Sequence, residues 1–287
     1  MRKAAIDIGT NSCRLLVADV DPDKYEVVRR EINSTRLGQG VDASKILAKE
    51  AMERTIQCLS EFTGIIREMG AEWSRAVATS AVREARNRQE FTEQVYRGCG
   101  LNVDVIDGEE EALLSYRGVL GGLQLDNPPL VVDLGGGSCE FILQAGNEHL
   151  SLSLPLGAVR ATEAGYTTED IRAILSPLRP FQGKYQSYPL IFVGGTVTAL
   201  VAVRLALPEY DSSLVHGRVL TFREVEDVCH LLASLPLRVR RRLPGLQPER
   251  ADIIPAGALI VLEVMRMFER SEIVVSETDI LDGIVTD

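Results

Sequence analysis

The sequence predicts an α/β protein built on mixed sheets. Short apolar runs rich in β-branched residues alternate with amphipathic helical stretches through both halves of the chain. One hairpin-like segment occurs twice, at 6–16 and at 132–142, and the two copies align without a gap. The length of 287 residues suits two domains, since domains commonly have about 100 to 150 residues. A duplicated α/β unit accounts for these observations together.

Strands and helices follow in a similar order in the two halves. The first half is predicted to contain strands at 13–20, 25–32, 75–79 and 102–106, and helices at 45–69, 88–96 and 109–120. The second half is predicted to contain strands at 131–134, 139–143 and 148–154, a buried strand within 190–196 that ends in a glycine turn, helices at 168–178, 197–207, 222–235 and 248–268, and a closing strand and helix from 273. Since a strand follows each duplicated glycine turn, P-loop and Rossmann folds are disfavoured.

Each copy of the duplicated segment brings an aspartate to the end of an apolar strand and continues into a turn of glycine and small polar residues. Glycines let backbone N–H groups approach phosphate oxygens closely, although a tight hairpin alone would also favour them. Two matching copies favour phosphate binding. The candidate phosphate-binding residues are Gly9, Thr10, Asn11, Ser12, Gly135, Gly136, Gly137 and Ser138, together with the later turn of Gly194, Gly195 and Thr196.

Two carboxylates and one change of charge indicate a metal site. Asp7 and Asp133 end apolar strands, where an unpaired carboxylate is costly to bury, and Mg²⁺ would offset that cost. A hydrogen bond from the neighbouring turn is the alternative. At one aligned position Arg14 of the first copy is replaced by Glu140 in the second. We therefore predict that Arg14 neutralises phosphate and that Glu140 binds metal or orients water.

Hydrolysis also needs a carboxylate that positions or deprotonates water. Three glutamates open the helix predicted at 109–120, and acidic residues are common there because they suit a helix N-terminus. Glu111 is the preferred catalytic candidate and Glu110 stays open as the alternative. Arg83 follows a predicted strand closely enough to face a phosphate, but an exposed arginine beside a helix cap would look the same.

Composition limits the other classes of function. A net charge of −10 argues against sequence-independent nucleic-acid binding. The arginine cluster at 238–242, which is followed after a short stretch by Arg250, is either plain surface or a local polyanion site. Five scattered cysteines and three histidines predict neither a disulfide framework nor a zinc site. We see no secretion signal and no membrane-spanning stretch, and therefore expect a cytoplasmic protein.

Several ordered motifs resemble the exopolyphosphatase and guanosine pentaphosphate phosphohydrolase family of the actin-like ATPase superfamily, in its short two-domain form. The motifs begin at Asp7, Ala78, Gly108, Val132, Ser153 and Val193. The resemblance implies two ribonuclease-H-like domains that close on a cleft, with Mg²⁺ and a phosphate chain between them. It also implies that the last helix returns to the first domain, so we place the domains at 1–109 plus about 270–287 and at 110–269.

The resemblance implies roles for individual residues as well. Glu111 matches the family's catalytic carboxylate, and Asp133 and Glu140 match its other acidic residues. Arg14, Arg83 and the turn at 135–138 match phosphate-binding positions. The expected activity is Mg²⁺-dependent release of terminal phosphate from inorganic polyphosphate or guanosine pentaphosphate. A kinase of the same superfamily and a sensor that binds polyphosphate or alarmone without turnover are the alternatives, and a homodimer stays open.

Overall fold

The computed structural model describes residues 1–21, 25–146 and 148–287, and its contacts divide the chain into two units. The first unit contains Met1–Gly118 and Ile280–Asp287, and the second contains Val119–Asp279. The boundaries expected from the sequence are 109/110 and 269/270. The helix that opens with the three glutamates therefore lies mostly in the first unit, as does the C-terminal helix.

The first unit is a mixed five-stranded sheet with helices. Its strands are β1 (Arg2–Ile8), β2 (Cys13–Val20), β3 (Tyr25–Asn33), β4 (Trp73–Ala78) and β5 (Val103–Val105). Their order is β3-β2-β1-β4-β5, with antiparallel pairs among the first three strands and parallel pairs among the last three. The helices are α1 (Val41–Ser44), α2 (Lys49–Glu68), α3 (Ser80–Glu84), α4 (Arg88–Cys99), α5 (Gly108–Gly122) and α13 (Ile280–Thr286).

Both faces of this sheet are covered, because alternate residues of a strand point to opposite faces. Ile6 and Leu15 join one apolar cluster with residues of α2 and α4. Ala5 and Leu16 join a second cluster with residues of α13 and with Leu114 of α5. The alternation predicts that Asp7 and Arg14, two residues from Ala5 and Leu16 respectively, share the face of the second cluster.

The second unit repeats this strand order. Its strands are β6 (Leu130–Leu134), β7 (Cys139–Ala145), β8 (Glu148–Leu154), β9 (Leu190–Val193), β10 (Val219–Thr221) and β11 (Glu272–Val275). The order β10-β11-β9-β6-β7-β8 matches the first sheet strand for strand, read in reverse, with β10 added at one edge. The duplication seen in the hairpins therefore extends to the whole sheet.

Seven helices complete the described part of the second unit, and one large apolar cluster lies at its core. They are α6 (Ala158–Ala164), α7 (Thr168–Ile174), α8 (Gly195–Arg204), α9 (Ser212–Val215), α10 (Phe222–Ser234), α11 (Leu237–Arg240) and α12 (Ile254–Met267). Two 3-10 turns, Ser176–Phe181 and Pro248–Arg250, lie before β9 and α12. Within the described ranges no helix has both the length and the apolar character that a bilayer span needs.

The predicted elements are confirmed, with differences at several ends. The helix predicted from 45 begins at Lys49, because Lys45 has a left-handed backbone (φ 55°) and ends the separate helix α1. The helix predicted at 168–178 stops at Ile174, since Pro177 and Pro180 favour the 3-10 turn that follows. The helix predicted from 248 begins at Ile254, with Pro255 in its first turn, where proline is tolerated.

Candidate functional site: two glycine turns and their carboxylates

The duplicated hairpins have the same hydrogen bonding. In the first turn the Gly9 N–H donates to the Ser12 carbonyl at 3.0 Å, and in the second the Gly135 N–H donates to the Ser138 carbonyl at 3.1 Å. The strand registers also agree, since Asp7 pairs with Arg14 across β1 and β2, and Asp133 pairs with Glu140 across β6 and β7. The gap-free sequence alignment is therefore a structural repeat.

The carbonyl groups of residues 135–137 are all held by the start of α6. Ala158 N–H donates to the Gly135 carbonyl at 3.1 Å, and Val159 N–H donates to the Gly136 carbonyl at 2.8 Å. The Gly136 carbonyl also accepts from the Arg160 N–H, and the Arg160 side-chain Nε donates to the Gly137 carbonyl at 2.7 Å. In a trans peptide the N–H points opposite to the carbonyl. The N–H groups of residues 136–138 therefore point away from α6, and successive N–H groups directed in this way can bind an anion.

Gly157 allows this close approach, a role that the sequence does not predict. A Cβ at Gly157 would lie 2.3 Å from both the carbonyl carbon and the oxygen of Gly136. Arg160, the other support, is buried, and burial lowers the pKa of its guanidinium. Gly157 and Arg160 lie in the motif that begins at Ser153, but that resemblance gave them no role, and a lone glycine also occurs in many ordinary turns.

The first turn is held in the same way by a different segment. The Gly38 N–H donates to the Thr10 carbonyl at 2.8 Å, and the Arg36 N–H donates to the Asn11 carbonyl at 2.8 Å. By the same peptide geometry, the N–H groups of Asn11 and Ser12 point away from this segment. A Cβ at Gly38 would lie 2.3 Å from Thr10 Cγ2, so a larger residue there would force the Thr10 side chain to shift. From the sequence, 36–40 is predicted only as a turn.

Asp7 and Arg14 form an ion pair at the end of the first hairpin. Arg14 donates to Asp7 Oδ2 through Nη2 at 2.7 Å and through Nε at 3.0 Å. The Asp7 side chain is nearly buried, whereas about a quarter of the Arg14 side chain is exposed. The guanidinium therefore neutralises Asp7 and is itself oriented by it.

The second hairpin has two carboxylates at the equivalent positions. Asp133 and Glu140 are direct partners across an antiparallel pair, which places their side chains on one face and close together. Glu140 is 1% exposed, and Ser153 Oγ donates to its Oε1 at 2.7 Å. Two like charges at such positions repel, so a cation would stabilise them.

The two carboxylates at this position fit a Mg²⁺ ion that is held by only a few protein ligands. The described residues contain no group of three or more histidine, cysteine, aspartate or glutamate side chains arranged to hold a metal. Mg²⁺ usually keeps several waters and is bound through one or two carboxylates together with substrate phosphates. Asp133 and Glu140 meet that requirement, whereas a structural zinc site with four protein ligands does not occur in the described part of the chain.

The adjacent glutamates of α5 have different surroundings. Glu111 is 8% exposed, and Arg83 Nη1 donates to its Oε2 at 2.8 Å while also donating to the Ile106 carbonyl at 3.0 Å. Glu110 is partly exposed and accepts from Arg75 Nη2 at 2.6 Å. Of the two candidates, Glu111 is the buried one, and its partner is the arginine that the sequence also selected.

The third glycine turn lies beside the second hairpin in the same unit. β6 and β9 are parallel, so their carboxyl ends meet at one edge of the sheet. Gly194 has φ 101°, and a Cβ there would lie 2.6 Å from the Leu134 carbonyl oxygen and 3.5 Å from Asp133 Oδ1. The guanidinium of Arg250 lies directly on Gly195, where a Cβ would be 2.3 Å from Nη1. From the sequence alone, Arg250 is grouped only with the arginine cluster.

In the first unit the structure brings Asp7 together with Arg14, and Arg83 together with Glu111. In the second unit it brings together Asp133, Glu140 and the turns at 135–138 and 194–196. Thr196 is buried and packs closely against Gly257 of α12.

Known proteins match the chain over nearly its whole length. Exopolyphosphatase 2 of Mycobacterium tuberculosis is 38% identical, with 99% of this chain and 97% of that protein covered. The bifunctional 3-dehydroquinate synthase/phosphatase of Fusobacterium nucleatum is 34% identical, with 99% and 46% covered. The guanosine-5'-triphosphate,3'-diphosphate pyrophosphatase of Vibrio atlanticus is 30% identical, with 93% and 55% covered. The chain thus spans about half the length of the last two relatives.

Solved structures agree with these relatives. The Ppx-GppA enzyme of Aquifex aeolicus superposes with a TM-score of 0.82 at 34% identity, covering 100% of this chain and 99% of that one. An exopolyphosphatase from Cytophaga hutchinsonii gives a TM-score of 0.91 at 26% identity, covering 99% and 96%. The predicted α/β fold with two actin-like domains is thereby confirmed. Because the family profile also matches residues 16–287, this chain belongs to the Ppx/GppA phosphatase family.

Proposed function

We propose that this chain is a hydrolase that releases the terminal phosphate of inorganic polyphosphate or of guanosine pentaphosphate, with Mg²⁺ as cofactor. The observation that carries the proposal is the pair of turns whose carbonyl groups accept hydrogen bonds from supporting segments. The peptide N–H groups on the opposite side of each turn are left to bind phosphate oxygens. The relatives support the substrate class, since one is named an exopolyphosphatase and another a guanosine polyphosphate pyrophosphatase. Phosphoryl transfer mainly requires positioning and neutralisation of charge, which amides and arginines supply.

Glu111 is the proposed base, with Arg83 as its positioning residue. A water molecule attacks the terminal phosphorus, and a new oxygen–phosphorus bond forms as the bond to the bridging oxygen breaks. The bridging oxygen keeps the electron pair and stays on the shortened chain. The water proton passes to the Glu111 carboxylate. The ion pair with Arg83 at 2.8 Å fixes the orientation in which that carboxylate receives the proton.

Asp133 and Glu140 are the proposed Mg²⁺ ligands. When bound, the ion would polarise phosphoryl oxygens and neutralise developing charge. Ser153 fixes one oxygen of Glu140 by a hydrogen bond, so the ligand is oriented before the ion binds. The predicted metal role of Asp7 stays a prediction. In the structure the Asp7 carboxylate forms an ion pair with Arg14, and we propose that Asp7 orients Arg14 toward phosphate.

Phosphate release by three glutamine variants tests the assignment. Glu111→Gln keeps the shape of the side chain but removes the base, so we expect kcat to fall by about 10²- to 10⁴-fold. Glu109→Gln, an exposed neighbour on the same helical turn, is the matched control and should keep kcat within about twofold. The third variant is Glu110→Gln. The substrates are long polyphosphate, tripolyphosphate, guanosine pentaphosphate and ATP, each with Mg²⁺ and with EDTA.

The outcomes separate the alternatives. Loss of turnover in Glu110→Gln with normal turnover in Glu111→Gln would transfer the role of base to Glu110. Phosphate found on an acceptor rather than in solution would identify a kinase, and tight binding without turnover would identify a sensor. Full activity in EDTA would overturn the Mg²⁺ proposal while leaving the hydrolase proposal intact.

A further inference from the structure

The segment that contains α11 is positively charged in an acidic protein. No aspartate or glutamate occurs in residues 228–248, whereas arginine occupies four of the five positions from 238 to 242. The whole chain has a net charge of −10. A local run of cations against that background is the charge pattern of an anion-binding surface.

Three of these arginines are exposed and unpaired. Throughout the part of the chain that the structure describes, no ion pair and no side-chain hydrogen bond involves Arg238, Arg241 or Arg242. Other arginines of the second unit pair with carboxylates: Arg172 and Arg266 bind Glu263, and Arg204 binds Glu224. The three arginines therefore keep their full charge toward solvent. We call them the arginine patch.

The arginine patch lies on one side of a helical turn. Residues three and four apart on a helix are neighbours, and Arg238, Arg241 and Arg242 have that spacing. α11 ends at Arg240, and Arg241 keeps a helical backbone with φ −59° and ψ −11°. Three positive charges so close together repel one another, and an anion bound across them would relieve that repulsion.

Two contacts fix the patch to the second unit. Arg240 points the other way, and its guanidinium donates to the Ala251 carbonyl at 2.8 Å and to the Leu235 carbonyl at 3.0 Å. Gly245 has φ 81° and lies so close to α8 that a Cβ would be 2.2 Å from the Ala202 carbonyl oxygen. The backbone that carries the patch is thus held against the rest of the second unit before any ligand binds.

The same segment leads to the third glycine turn. Arg250 follows the patch in sequence and places its guanidinium on Gly195, the first residue of α8. Gly245 contacts α8 at Ala202, seven residues further on, which corresponds to about 10 Å along a helix axis. The segment that carries the patch and Arg250 therefore packs along α8.

We propose that the arginine patch binds the distal part of an inorganic polyphosphate chain that extends from the Gly194–Gly195 turn. This inference rests on the proposed function and adds a chain-length preference to it. On this proposal the three phosphates of tripolyphosphate occupy the turn alone, whereas a long chain contacts both the turn and the patch. The patch therefore makes binding of long polyphosphate tighter than binding of tripolyphosphate, while the hydrolysis step itself is the same for both.

The surroundings of the patch favour polyphosphate over other polyanions. Proteins that bind single-stranded nucleic acid place aromatic side chains beside their cations, but the exposed apolar residues of α11 itself are Leu237 and Val239. A membrane-surface helix needs a long apolar face, and α11 has four residues. A chain of phosphates without bases requires only the guanidinium groups.

The test compares Arg238→Gln/Arg241→Gln/Arg242→Gln with a control that loses the same charge elsewhere. The control, Arg179→Gln/Arg218→Gln/Arg223→Gln, changes three other exposed arginines of the second unit. We expect kcat/KM for long polyphosphate to fall at least 10-fold in the patch variant, through KM, with tripolyphosphate turnover within twofold of wild type. The slope of log KM against log salt should decrease by about 2, since each phosphate that an arginine neutralises contributes roughly 0.7.

A binding assay in EDTA keeps the inference separate from the activity. Affinity for fluorescently labelled long polyphosphate should fall at least 10-fold in the patch variant and stay unchanged in the control. If wild type releases no phosphate but this binding difference holds, the hydrolase proposal fails and the patch stands. An equal loss with tripolyphosphate, or no loss with long chains, would overturn the patch. Equal competition by single-stranded RNA or anionic vesicles would overturn its assignment to polyphosphate.

Discussion

Gly157→Ala tests whether the second turn acts as a preformed phosphate site. The added Cβ would lie 2.3 Å from the Gly136 carbonyl carbon and oxygen and 2.4 Å from the Gly137 nitrogen. Ordinary contacts begin near 3.4 Å, so α6 and the turn must separate by roughly 1 Å. Every one of those atoms is backbone and cannot rotate away. The strain falls on the hydrogen bonds that hold the turn.

The expected magnitude follows from that displacement. Overpacking of this kind costs about 1–3 kcal/mol in the free energy of unfolding. A misplacement of about 1 Å at a reacting centre can reduce the rate by about 10²-fold. We therefore expect a lower unfolding midpoint and a kcat reduced about 100-fold, because the N–H groups of residues 136–138 no longer converge.

Phosphate release and urea denaturation are measured side by side. The matched control is Gly121→Ala, since a Cβ at Gly121 meets nothing within 4 Å and alanine suits a helix better than glycine. The control should keep full activity and gain up to about 1 kcal/mol in stability. Wild-type kcat in Gly157→Ala, at any stability, would show that α6 need not hold the turn for it to bind phosphate.

Two further predictions concern burial in the first unit and in the hairpins. Asp282 of α13 is 1% exposed, accepts a hydrogen bond from Tyr25 at 2.5 Å and pairs with Arg30, so Asp282→Asn should lower the free energy of unfolding by about 1–3 kcal/mol in urea denaturation. The control is Asp287→Asn, which changes a half-exposed carboxylate and should cost less than about 0.5 kcal/mol. Equal effects of the two substitutions would contradict the buried placement of Asp282. Hydrogen bonding with Cys58 and burial raise the pKa of the Cys13 thiol, and burial raises that of Cys139, so both hold less reactive thiolate at any given pH. Brief alkylation of the native protein at pH 8 followed by mass spectrometry should modify the partly exposed Cys99 first, and early labelling of Cys13 or Cys139 would contradict the structure.

The sequence was informative where chemistry and fold lie in one continuous segment. Each hairpin carries its aspartate, turn and returning strand within about a dozen residues, so the repeat, the register and the exchange of Arg14 for Glu140 could all be read directly. Long strands and helices were found for the same reason. Short elements such as α1 and α6 were missed, because fewer than eight residues give too little periodicity to detect.

Contacts between distant residues could not be read in this way. Gly38 and Gly157 hold the turns from 28 and about 20 residues away, and Arg250 reaches Gly195 across a longer interval. The choice between Glu110 and Glu111 depends on the rotation of α5 relative to its sheet. Adjacent helical residues point about 100° apart, so only the structure separates the buried glutamate from the one that faces Arg75.

The two turns share their hydrogen bonding but differ in what braces them. A loop at 36–38 donates hydrogen bonds to carbonyl groups of the first turn, and the first turn of α6 donates to those of the second. The two supports are separate segments of the chain, so a substitution in one leaves the hydrogen bonds of the other intact. A change at 36–38 can therefore perturb the first turn alone, and a change at the start of α6 can perturb the second alone.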